Sequence, residues 1–104
     1  MKDPPKNLKE TGTRFWLDIC QRFQLEEPHD FERLSQACSC LDIIADAEEI
    51  VKAEGLFLRN RFHELREHPG LKVIRDCRIL FLRAIREMSL DSETPPESRL
   101  PGLY

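Results

Sequence analysis

The sequence predicts an all-α fold: a short N-terminal helix, two long helices joined by a short hairpin or loop, and an extended C-terminal tail. Three observations predict it. Residues 68–90, HPGLKVIRDCRILFLRAIREMSL, place ten apolar side chains between Leu71 and Met88 over roughly 200° of a helical wheel. Residues 28–54 carry Phe31, Leu34, Cys38, Leu41 and Ala45 at alternating spacings of three and four. Pro28 and Pro69 stand where a first helical turn tolerates proline, and Gly55 stands where a helix stops.

Residues 1–11 read as a loose, slightly basic arm, with Pro4-Pro5 against helix and Lys2, Lys6 and Lys9 among polar residues. Thr13 is the expected N-cap of a helix to about Phe23, in which Phe15, Trp16, Ile19, Cys20 and Phe23 make one apolar face. Gln24 to Pro28 is a turn. The second helix then runs from Pro28 to about Glu54, roughly 40 Å at 1.5 Å per residue. Ala37, Ile44, Ala47 and Val51 widen its stripe, Ile43 and Ile50 add a flank, and Glu32, Asp42, Asp46 and Glu49 form a solvated stripe.

Residues 55–67, GLFLRNRFHELRE, lose the helical period. A short hairpin or irregular turn fits, with Asn60 tolerating the left-handed conformation; a continued helix is the alternative. The third helix is apolar on one side and cationic on the other, where Arg75, Arg86, Lys72 and Arg83 surround Ile79. A single helical neighbour needs a stripe of roughly 100°. Arcs twice that wide imply two packing surfaces, one internal and one for a second subunit. Residues 91–104, DSETPPESRLPGLY, have turn chemistry and no period, and end in the apolar Leu100, Leu103 and Tyr104. They suit a docking tail or a disordered end. The expected organisation is a flexible arm (1–11), a helical oligomerisation core (12–90) and a tail for partner docking (91–104).

The 104 residues suffice for one domain with a modest core, which oligomerisation would support. No apolar run approaches the 18 residues or so of a membrane span, and the N-terminus lacks a signal-peptide pattern. No membrane partner is expected, and Cys20, Cys38, Cys40 and Cys77 read as reduced core thiols in a cytoplasm. The formal charge of −3 is unevenly spread. Residues 26–54 hold two basic and nine acidic groups, and residues 55–90 eight basic and four acidic. A head-to-tail ring places one subunit's acidic segment beside the next subunit's basic one. Net acidity weighs against non-specific coating of DNA but leaves room for a local basic track.

No catalytic constellation is present. The chain lacks phosphate-binding glycine loops, and Cys38 and Cys40 stand about 200° apart on a helix, too far round for a metal clip. His63 and His68 are poor candidates for zinc, and no cofactor is implied. Arg78 is the outlier inside the third helix's apolar arc. It either lays its stem on apolar surface, pairs with Asp42, Asp46 or Glu49, or touches DNA.

Several features taken together resemble a known family. They are Phe15-Trp16 before Leu25-Glu26, His29-Asp30 followed by Leu34 and Cys38, Gly55 closing a long helix, and His68-Pro69 opening the last one. The run Arg75, Arg78, Arg83, Arg86, then Ser89-Leu90-Asp91 and the tail Arg99-Leu100-Pro101-Gly102, complete the pattern over nearly the whole chain. The pattern resembles the small subunit of bacteriophage terminase, in the HK97-like branch. The resemblance implies a non-catalytic adaptor for viral genome packaging in the host cell cytoplasm. Such a subunit forms a homo-oligomeric ring on a pair of long antiparallel helices, binds viral double-stranded DNA, and recruits and modulates the terminase large subunit, which holds the ATPase and nuclease. Many members carry a separate helix-turn-helix domain, for which this chain has no room.

On this reading DNA phosphate is held by Arg59, Arg61, Arg66, Lys72, Arg75, Arg83 and Arg86, helped by Lys6 and Lys9. Leu34, Ile43, Ile44, Ile50, Arg78, Leu80, Phe81 and Ala84 form the oligomer interface, and Leu100, Leu103 and Tyr104 dock on the large subunit. The competing expectation is a small helical protein-interaction or regulatory module with no nucleic-acid role.

Overall fold

Proline at the first helical turn and glycine at the last set the frame seen in the structure, a computed structural model that describes residues 3–88. The elements are α1 (Glu10–Arg22), α2 (Pro28–Glu54), β1 (Phe57–Arg59), β2 (Leu65–Glu67) and α3 (Pro69–Glu87). Pro28 and Pro69 open α2 and α3, where a missing N–H leaves no hydrogen bond unmade. Gly55 closes α2 at φ 96°, donating its N–H to the Val51 carbonyl at 2.6 Å. That backbone conformation suits glycine and few other residues.

The central helix is α2. One side of it, Cys40, Ile44 and Val51, packs on Ile74 and Cys77 of α3. Another side, Leu34 and Cys38, packs on Trp16 and Ile19 of α1 and on Met88 at the end of α3. Arg33 pairs with Glu87 at 3.1 Å and Glu48 with Arg78 at 3.0 Å, so α2 and α3 run antiparallel. Burying a Leu- or Trp-sized side chain contributes roughly 1.5–3 kcal/mol, and both Leu34 and Trp16 are fully buried. Part of the second packing surface expected on α2 for another subunit is therefore occupied by α1.

Of the readings open for residues 55–67 the short hairpin is the one seen, a two-stranded antiparallel sheet pairing Phe57 with Glu67, Leu58 with Arg66 and Arg59 with Leu65. Two local expectations are corrected. At the hairpin's turn the positive φ belongs to His63 (62°), not Asn60. Asn60 works through its side chain, whose oxygen accepts from the backbone N–H of Phe62 at 2.8 Å and of Glu64 at 3.1 Å. Second, α1 begins at Glu10, ahead of Thr13, whose own N–H is already bonded to the Lys9 carbonyl. The described part of the arm is anchored: Leu8 packs against the core and its N–H bonds to the Pro5 carbonyl. The tail at 91–104, with Leu100, Leu103 and Tyr104, lies outside the described residues.

Candidate functional site

The α2–α3 pair keeps large apolar side chains in solvent on two sides. On α2, Ile43 and Ile50 are 46% and 51% exposed. At 100° per residue Ile43 lies about 180° round the helix from Leu34, hence away from α1. On α3, Val73 and Leu80 are also exposed, and Ile43, Leu80, Arg83 and Ala84 line a groove of about 330 Å³ between the two helices. On the outward face of α3, Ile79 and Leu82 are 55% and 60% exposed. Among the described residues no helix is long and apolar enough to cross a membrane.

These positions sort the expected interface. Ile43, Ile50 and Leu80 are free to meet another molecule. Leu34, Ile44 and Ala84 are not: each is buried within the subunit, Leu34 in the core shared with α1 and Ile44 in the core shared with α3. Phe81 is also used internally, edge-on to Phe15 with ring centroids 5.4 Å apart. Arg78 is half exposed and pairs with Glu48, not with Asp42, Asp46 or Glu49.

The expected phosphate-binding cations fall into three groups. Lys9 is already engaged: its ammonium pairs with Asp46, a contact that also raises its pKa. Arg75 pairs with Glu67 at 2.7 Å and Arg66 with Glu64 at 3.4 Å. Arg59 donates to the His63 carbonyl at 2.6 Å, and Arg61 stacks on Phe62, so neither has a carboxylate partner among the described residues. Lys6, Lys72, Arg83 and Arg86 likewise have no ion-pair partner among them. Arg59 and Arg61 sit on a hairpin that pairs mainly with itself and carries Phe57, Phe62 and Leu65 in solvent. Lys72, Arg75 and Arg86 surround Ile79 and Leu82 on α3.

Two polar residues hold this scaffold, and both escaped the sequence reading. Asp42 is buried, not part of a wet stripe: its carboxylate accepts the backbone N–H groups of Lys9 and Gly12, each at 2.7 Å. It caps α1 from another helix, an acceptor at the positive end of the α1 dipole. His68 caps α3. Its Nδ1 accepts the Gly70 N–H at 2.9 Å, so Nε2 carries the ring proton toward Glu54 at 2.7 Å. A histidine directly before Pro-Gly at a helix start was the available signal for that cap. Nothing local marks Asp42, whose partners lie 30 and 33 residues away.

No metal-ligating cluster of histidine, cysteine and carboxylate occurs among the described residues. The thiols are structural in setting. Burial, with a smaller effect from nearby Asp42, pushes Cys38 up to about 12, and burial also raises Cys20 and Cys40. No family model, curated protein or solved structure matches the chain.

Proposed function

We propose that this chain is the small subunit of a phage terminase, a non-catalytic, ring-forming adaptor that binds viral double-stranded DNA and recruits the large packaging subunit. The observation that carries the reading is the surplus of apolar surface on α2 and α3 after the internal core is complete. A monomer has no use for Ile43, Ile50, Ile79, Leu80 and Leu82 in water, whereas a contact between copies covers them. The uneven charge of the chain, acidic in α2 and basic from the hairpin through α3, suits copies set side by side.

DNA contact is assigned to the hairpin. Arg59, Arg61 and Arg66 are clustered on a hairpin whose two strands pair with each other, and Glu64 and Glu67 are already held by Asn60, Arg66 and Arg75. These arginines grip phosphate and carry no base readout, so binding falls steeply with salt. The test is retention of duplex DNA on the intact protein across a salt series, alongside pull-down of a packaging ATPase. Binding of the ATPase without DNA at any salt concentration would instead favour a protein-interaction module.

A further inference from the structure

The two exposed apolar stripes carry opposite charge. On α2, Ile43 and Ile50 share a face with the exposed Glu32 and Glu54, while the adjacent Asp46 is already paired with Lys9; on α3, Ile79 and Leu82 lie among Lys72 and Arg86. The stripes also face different ways. Ile79 stands about 160° round α3 from Cys77, which packs toward α2, whereas Ile43 stands about 100° round α2 from Ile44, which packs toward α3.

We propose that the α2 stripe of one copy seats the α3 stripe of the next, so that assembly is head-to-tail. This rests on the self-assembly reading above and names its seam. Charge excludes the self-complementary choices. An α2 stripe against its twin sets carboxylates on carboxylates, and an α3 stripe against its twin sets cations on cations. Only α2 on α3 pairs opposite signs around a shared apolar centre. Because the two patches differ and lie on different sides of the helix pair, the contact does not close at two copies.

The heights agree as well. The Arg33–Glu87 and Glu48–Arg78 pairs fix the antiparallel register, which puts Ile79 of α3 level with Ile43 and Ile44 of α2. A ring whose axis runs along the helices preserves those heights. Ile79 of one copy then meets Ile43 of its neighbour, and Lys72 comes within about a turn of the neighbour's Glu54, on the same face as Ile50. Lys72 and Arg86 serve the seam, which leaves phosphate to the hairpin arginines.

The test is a mixing experiment on the full chain, read by native mass spectrometry. Ile43→Glu disables the α2 stripe and Ile79→Glu the α3 stripe; both side chains are about half exposed, so folding is retained and is checked by circular dichroism. Each variant alone is expected to be monomeric under conditions where the wild type assembles. Their equimolar mixture forms one heterodimer and nothing larger, since it contains one intact α2 stripe and one intact α3 stripe. Ile50→Glu and Leu82→Glu form a second pair with the same expectation, used where either first variant is unfolded. An assembled single variant, or a mixture without heterodimer, overturns the seam while leaving self-assembly standing. A wild type that is monomeric at every concentration overturns both.

Discussion

Asp42 Oδ1 accepts the Gly12 N–H at 2.7 Å, and a Cβ on residue 12 would lie 2.5 Å from Asp42 Oδ2 and 2.7 Å from the Cys38 carbonyl oxygen. Glycine and aspartate here are one device: α1 approaches α2 closely enough to be capped only because residue 12 has no side chain. Asp42→Ala leaves two N–H groups of the α1 start without their acceptor and is expected to cost about 2 kcal/mol. In a domain this small, that lowers Tm by roughly 8–16 °C. Gly12→Ala costs about 1–3 kcal/mol by overpacking against a backbone oxygen that cannot swing aside. The two changes are expected to be non-additive in a double-mutant cycle followed by thermal unfolding. Additive losses would show that the residues act separately.

A second prediction concerns the α2–hairpin–α3 junction. Gly55 at φ 96° and the His68 cap sit at its two ends, tied by the His68 N–H to the Leu56 carbonyl at 2.7 Å. Gly55→Ala forces a side chain into a region essentially reserved for glycine and costs about 1–3 kcal/mol. His68→Ala removes the α3 cap and costs about 1 kcal/mol, part of which His68→Asn restores, since asparagine is a strong N-cap residue. Urea unfolding midpoints measure each. A His68→Asn variant no more stable than His68→Ala would count against the cap.

The thiols supply a pH prediction. Cys38 holds its proton to about pH 12 in the folded chain, against about 9 when unfolded. Between those values the unfolded state has released a proton that the folded state retains, so stability falls as pH rises from about 9 to 12 and is unaffected by this group below about 8. Alkylation with iodoacetamide at pH 8 is expected to leave Cys38 unmodified in the native protein and to label it after denaturation. Labelling of Cys38 at the rate of a free thiol in the folded state would contradict its buried setting.

Phosphate binding by the hairpin gives a fourth prediction. Arg59→Glu with Arg61→Glu is expected to lower duplex-DNA affinity by at least tenfold at moderate salt and to flatten the salt dependence by about two ions. Helix content should not change, since neither side chain contacts the helical core. Unchanged retention on DNA would move the phosphate contact elsewhere on the chain.

What the sequence displayed and what it hid divide along physical lines. Both ends of α2 were legible, because Pro28 and Gly55 act through their own backbone restrictions and need no partner. The start of α3 at Pro69 was legible for the same reason. The start of α1 was misplaced because its cap arrives from Asp42, 30 residues beyond Gly12, and a local reading assigns capping to the nearest hydroxyl, Thr13. Leu34 and Ile44 read as candidate interface residues because a wheel shows how wide an apolar arc is, not which neighbour covers each part of it. The structure gives Leu34 to α1 and Ile44 to α3, and leaves Ile43, Ile50 and Leu80 uncovered. Three readings are open for Arg78 in the sequence, and the ion pair on α2 that forms is with Glu48, not with Asp42, Asp46 or Glu49, because the register of the two helices sets which carboxylate is in reach.

The most direct measurement is native mass spectrometry of the unmodified protein over a concentration series, with and without duplex DNA. The expected result is a discrete oligomer of more than two copies, present without DNA and retaining bound DNA when it is added. A species of one chain mass throughout would mean that Ile43, Ile50, Ile79 and Leu82 stay in water, and the assembly on which the proposed function depends would not exist.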